Sequence, residues 1–311
     1  MSNELILKGI DGANPLGFLA AVGVLRTATK VWPHEPGPCM GWVRHEGGWR
    51  PLLVFNSLIG RAKLTANLHQ ELQKKDNKQQ FDIAEDLSIS ANVYRAVAMK
   101  ATRVANPQNR CFADFMAAFG SEGMVDEKTG NIKDTAIRTM NGAGHQHFLG
   151  TMRQLVADTE ENHIERTLFS EWLYDDPVEK HTLRWDPIDD VRYALRWQNP
   201  SGDRQRKMRG CVWGANRFAI EALPLFPTAI TKTNLETTAF QQKKGHGVFF
   251  TWPIWTPLIN IEVLRSLLAL KELQRAAPCR NKFKEIGIVE VFRCQRLTQG
   301  KFRNFTPGYP V

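Results

Sequence analysis

The sequence is short of the motifs that name a chemistry. It has no C-x-x-C pair, no H-E-x-x-H run, no G-x-S-x-G elbow, no Walker A loop and no G-x-G-x-x-G turn. Those absences set aside thiolate zinc sites, zincin-type hydrolysis, the α/β-hydrolase nucleophile and the common phosphate-cradling loops. Its five cysteines, at 39, 111, 211, 279 and 294, are odd in number and far apart. Small buried thiols in a reducing compartment are expected, not a disulfide framework. A long apolar run is missing too. Leu16 to Leu25 comes nearest, but Asn14-Pro15 stands before it and Arg26 closes it. The residues ahead carry Glu4, Lys8 and Asp11, which is not the basic start of an export signal. The expectation is a soluble, cytoplasmic protein with no membrane partner and no cofactor. No internal repeat or low-complexity tract is present.

What the sequence does have is positive charge. Its 311 residues hold 41 Lys and Arg against 32 Asp and Glu, a net charge of +9, so an anionic partner is expected. The charge is unevenly placed. Asp158 to Asp190 holds eleven acidic and three basic residues; Arg192 to Arg217 holds seven basic residues and one acid, Asp203. Arg280 to Arg303 holds seven basic and two acidic residues. Blocks of this kind point to a polyanion or an acidic protein surface meeting the C-terminal third.

The hydrophobic pattern reads as α+β. "ELILKGI" is a short strand. Asn14 caps a helix from Pro15 to about Lys30, with proline at its first position. "GWVRHE" and "WRPLLVF" form a hairpin through Gly47-Gly48, and a polar helix covers about Gly60 to Lys75. That order is compatible with half of a ferredoxin-like or RRM-like unit. Phe112, Phe115, Met116 and Phe119 share a helix stopped by Gly120, and two helices follow at about 146–158 and 162–174, the second with Ile164, Leu168 and Trp172 on one face. A change of character at "YDDPVEKHT" suggests an N-terminal α+β lobe over 1–178 and a basic α+β lobe over 179–311, or one compact domain. In the second part "RYALRW" is strand-like, "NRFAIEAL" is a short helix, "GVFFTWPIW" is a strand broken by Pro253, 260–275 is a helix capped by Asn260, "EIGIVEVFRC" is a strand, and the tail is extended.

The densest constellation runs from Leu183 to Phe218. On a strand, Arg192 and Arg196 share a cationic face, and Arg204, Arg206, Lys207 and Arg209 occupy the loop that follows. Loop arginines reach phosphates and grooves, and Asn216-Arg217 adds an amide and a guanidinium. These eight residues are the candidate nucleic-acid contacts. Trp185, Trp197 and Trp213 are either stacking platforms or core anchors. Asp186, Asp189 and Asp190 are clustered carboxylates that could hold Mg²⁺ for phosphodiester cleavage, or simply form a turn. His145 and His147 form an H-x-H pair and His246 sits between glycines, but no matching ligand pattern accompanies them. No catalytic residue and no metal ligand is assigned.

Two stretches carry a family likeness: "LKGIDGANPLGFLAAVGVLRTA" and "LRWDPIDDVRYALRWQNPSGD" with the following "GANRFAIEALPLFP". They resemble a CRISPR-associated family of the type I-G systems, named as an extension of that subtype's helicase-nuclease. The first stretch is also similar to the N-terminus of the type I-G large subunit. The likeness covers about 60 residues and includes no catalytic signature. It implies a part in antiviral defence, with crRNA or target DNA, other effector subunits or the helicase-nuclease as partners. A non-catalytic binding subunit is the leading expectation. A protein-only adaptor and a metal-dependent nuclease are the alternatives.

Overall fold

A computed structural model describes residues 2–34, 36–74, 78–107, 109–133, 135–140, 147–178, 180–189, 209–232, 234–276, 278, 280–299 and 302–311. The architecture is α+β. Strand β1 (Ser2–Ile6) leads to helix α1 (Pro15–Val31), and β2 (Cys39–His45) and β3 (Gly48–Ile59) follow. The three strands form an antiparallel sheet in the order β1-β3-β2. This is the order taken by the first three strands of a ferredoxin-like unit. Among the described residues no fourth strand pairs beside β1. The β2–β3 turn is Glu46-Gly47, at φ 50° and 78°, with His45 opposite Gly48. Two positive-φ residues make it the primed turn that suits a twisted hairpin.

Asn14 starts α1 as its sequence suggests. Its Oδ1 accepts the amide protons of Leu16 (2.8 Å) and Gly17 (3.2 Å). Every residue from Pro15 to Ala28 is buried, so α1 is a central helix, not a surface one. A second antiparallel sheet lies over it, in the order β11-β10-β9-β8. Its strands are β8 (Phe240–Lys243), β9 (Gly247–Trp255), β10 (Ile288–Gln299) and β11 (Phe302–Phe305), with β12 (Tyr309–Pro310) also pairing with β10. The Phe18 ring of α1 sits 6.1 Å from Trp42 on β2 and 5.9 Å from Trp252 on β9. The indole of Trp252 donates to Gly12 O and that of Trp255 to Met40 O, both at 2.8 Å. Both sheets therefore pack on the same helix.

Among the described residues, six further α-helices belong to the part of the chain before β8. They are α2 (Arg61–Leu72), α3 (Ala91–Val104), α4 (Cys111–Phe119), α5 (Phe148–Asp158), α6 (Glu161–Phe169) and α7 (Trp213–Ala222). Helix α7 lies against α1 so closely that a Cβ on Gly23 would fall 1.8 Å from Phe218 O. The expected division at 178/179 runs through this contact. Buried side chains from Leu7 to Phe305 belong to one hydrophobic core.

Several expectations are corrected. Strand β9 runs unbroken through Pro253. It pairs with β8 only as far as Phe250, so at Pro253 it has a partner on one side alone, where a missing N–H is tolerated. The helix expected over 162–174 ends at Phe169, because Ser170 turns extended, and Trp172 lies in the loop beyond. Helix α8 (Ile261–Leu268) is shorter than 260–275, and a single-turn helix at Lys271–Gln274 and α9 (Arg280–Glu285) follow it. The tail is extended as expected, and it forms the two strands β11 and β12. Helix α3 has no counterpart in the sequence reading. No helix among the described residues is long and apolar enough to cross a membrane.

Candidate nucleic-acid interface

Of the eight predicted contacts, Arg192, Arg196, Arg204, Arg206 and Lys207 lie outside the described residues, as do Asp190, Trp197 and His145. Arg209 opens the short strand β5 (Arg209–Cys211), which pairs with β4 (Asp176–Pro177). Asn216 and Arg217 are corrected. They are 0 % and 1 % exposed on the buried helix α7, away from any ligand at the surface. Asn216 Oδ1 accepts from Leu183 N (3.1 Å) and its Nδ2 donates to Val212 O (3.1 Å). Arg217 donates to Glu221 Oε1 and to Leu72 O, both at 3.0 Å. A buried guanidinium needs such partners, and α7 supplies one four residues on.

Trp185 is a core residue whose indole donates to Ile137 O (2.9 Å). Trp213, only half-buried, starts α7. Its ring stacks 4.1 Å from His181 and 4.9 Å from His163. His181 Nε2 lies 2.7 Å from Asp158 Oδ2, and His163 Nδ1 accepts the Glu160 amide proton. Burial pushes the His163 pKa down, against the opposing charge of Asp176. Asp176 accepts from Arg166 Nη2 (2.6 Å) and from Trp213 N (2.9 Å). These contacts fix the chain just after the basic segment. On the other side of that segment Asp186 is buried and accepts from Asn14 Nδ2 (3.2 Å), Tyr174 OH (3.0 Å) and Ile188 N (3.0 Å). The carboxylate weighed between a metal ligand and a turn residue thus joins the two stretches that carry the family likeness. No group of three or more His, Cys, Asp and Glu suited to a metal ion occurs among the described residues.

The structure brings together a basic surface that the sequence reading passed over. Glu221 is fully buried, with Arg26 Nη1 at 2.7 Å, Arg217 Nη1 at 3.0 Å and Lys30 Nζ at 3.2 Å. Burial alone would raise its pKa, but the charges of Lys30, Arg217 and Arg26 outweigh that and hold it well below the usual carboxylate range. Arg26 and Lys30 also reach Cys111 Sγ, at 3.5 and 3.7 Å. They form the floor of a groove of about 750 Å³ between α1, the α3–α4 connection and α8. Its walls carry two self-neutralising pairs, Arg110–Asp114 (2.9 Å) and Arg265–Glu262 (3.5 Å). One rim is the end of α3, through Thr102. Helix α3 presents Arg95, Lys100 and Arg103, all exposed, and no acidic residue. At 3.6 residues per turn these three cations span an arc of about 140°. Only Tyr94 and Ala101 of this helix are buried. The signal was in the sequence: from Leu87 to Ala113 there are four cations and no carboxylate.

The sequence matches no protein-family model and no curated protein.

Proposed function

We propose that the protein is a non-catalytic subunit that binds a nucleic-acid backbone. The observation that carries this reading is α3, an exposed 14-residue helix with three cations and no acid, set on the rim of a groove floored by Arg26 and Lys30. Phosphates are the ligands that such a surface attracts without regard to sequence. The segment Arg192–Arg209, with Arg204, Arg206 and Lys207, adds to the same demand by its composition. The likeness to type I-G CRISPR-associated proteins supplies the setting: crRNA or target DNA as ligand, and effector subunits or the helicase-nuclease as partners, in antiviral defence.

The test is salt-dependent binding to a labelled duplex and to single-stranded RNA. Arg95→Ala/Lys100→Ala/Arg103→Ala should weaken binding and lower the slope of log K against log[KCl], by about 0.9 per lost contact on B-DNA. A second variant, with Arg204, Arg206, Lys207 and Arg209 all changed to Ala, should do the same. Unchanged affinity and slope in both variants would refute the reading and favour a protein-only adaptor.

A further inference from the structure

The opening motif "LKGIDGANP" is not used by the groove. Its residues Lys8, Asp11 and Asn14 instead line a separate recess of about 510 Å³, together with Arg50, Trp172, Tyr174 and the exposed carboxylates of Glu46 and Glu171. That volume falls within the range of about 300–1,000 Å³ typical of small-ligand sites. The Arg50 position is set by the backbone around it. Leu7 N donates to Pro51 O (2.9 Å) and Gly12 N to Trp49 O (2.9 Å), so β3 is tied to the opening loop on both sides of Arg50. The guanidinium is half-buried. It makes no ion pair or hydrogen bond among the described residues, and its Nε is closed off from solvent. Lys8, on the same recess, pairs with the exposed carboxylate of Glu46 at 3.7 Å.

The other wall is aromatic. Trp172 and Tyr174 meet edge to face at 6.1 Å. The Trp172 indole donates to Thr167 O (3.1 Å) and the Tyr174 hydroxyl to Asp186. Tyr174 sits at φ 52°, a costly conformation for a non-glycine residue, and these bonds hold it there. Asp11, Glu46 and Glu171 share the recess, but among the described residues none of them ion-pairs with Arg50, so its half-buried guanidinium keeps its capacity for an anion. Two fixed rings call for a planar partner. A small inorganic anion leaves the rings unexplained, and a neutral ring leaves Arg50 unexplained.

We infer that this recess binds one nucleoside monophosphate unit, either free or as a single unpaired residue of a strand. Arg50 and Lys8 take the phosphate, the base lies against Trp172 and Tyr174, and the Asp11 carboxylate accepts from ribose hydroxyl or base amino hydrogens. The inference does not depend on the groove. It is tested on the full chain by calorimetric titration with the four nucleoside 5′-monophosphates, a trinucleotide and inorganic phosphate. At least one monophosphate should bind at least tenfold more tightly than inorganic phosphate. Arg50→Ala should weaken it at least tenfold with the melting temperature unchanged, and Arg50→Gln should act likewise. Trp172→Phe should weaken it less than Trp172→Ala. A trinucleotide that binds more tightly than the monophosphate assigns the site to a strand; equal affinities assign it to a free nucleotide. The inference is overturned if neither ligand saturates the protein at about 1 mM, or if both Arg50 variants bind as the wild type does. Loss of binding in the α3 variant with retention in the Arg50 variants would place the ligand in the groove and overturn it as well.

Discussion

Glu221 shows what a single residue decides here. One carboxylate, fully buried, is shared by guanidiniums from α1 and from its own helix. Glu221→Gln leaves Arg26 and Arg217 buried without their counter-charge and should cost about 3–5 kcal/mol in urea unfolding. Its pH signature follows from the sign of the shift. The folded-state pKa lies below the ordinary carboxylate value of about 4.3, so its contribution is complete above that pH and is lost as pH falls through the folded pKa. Stability measured from pH 6 downward should fall more steeply in the wild type than in Glu221→Gln. This network also explains why Arg217 was misread. Its neighbours Asn216 and Trp213 gave it the look of a surface cluster, and nothing local showed that Arg26, nearly 200 residues earlier, would share its carboxylate. Arg50 was equally silent, because its lack of an ion pair among the described residues exists only in three dimensions.

Among the elements, those with strong local chemistry were legible and those defined by their neighbours were not. Helix α1 announced itself through Asn14, Pro15 and a run of small and apolar residues. The β2–β3 hairpin did so through its glycines, and α8 through Asn260, whose Oδ1 accepts from Val263 N (3.0 Å). Helix α3 has an apolar stripe, Tyr94, Val97, Ala98 and Ala101, that is short and built mostly of small residues, and Val93, Met99 and Val104 stand exposed off it, which blurs its period in the sequence. It is held chiefly by Tyr94, whose hydroxyl donates to Met116 O and Gly120 O on and after α4. Pro253 misled in the opposite direction, since proline does end a central strand but not one with a single partner. The α1–α7 pair is a close joint, backbone against backbone at Gly23. Gly23→Ala places a methyl group against the Phe218 carbonyl, and the helices must separate. Overpacking of this kind costs about 1–3 kcal/mol, so a lower melting temperature with unchanged far-ultraviolet circular dichroism is expected.

Across the whole molecule, the α+β class was readable from the alternation of patterns, while the choice between two lobes and one compact domain was not. Composition changes at residue 178, but packing does not, since α7 and β9 close over α1 from the far side of that point. Thermal unfolding followed by tryptophan fluorescence and by far-ultraviolet circular dichroism should therefore give coincident transitions. Two separated midpoints would show that the halves melt independently. The hydrogen bond from Trp252 to Gly12 joins positions 240 residues apart. At translation rates of about 5–20 residues per second, that interval lasts on the order of 10–50 s. Until it has passed, Phe18 and Trp42 on the nascent chain lack the indoles that cover them. Maturation of this core must therefore wait for late synthesis, and until then the apolar face of its central helix stays uncovered on the ribosome-bound chain.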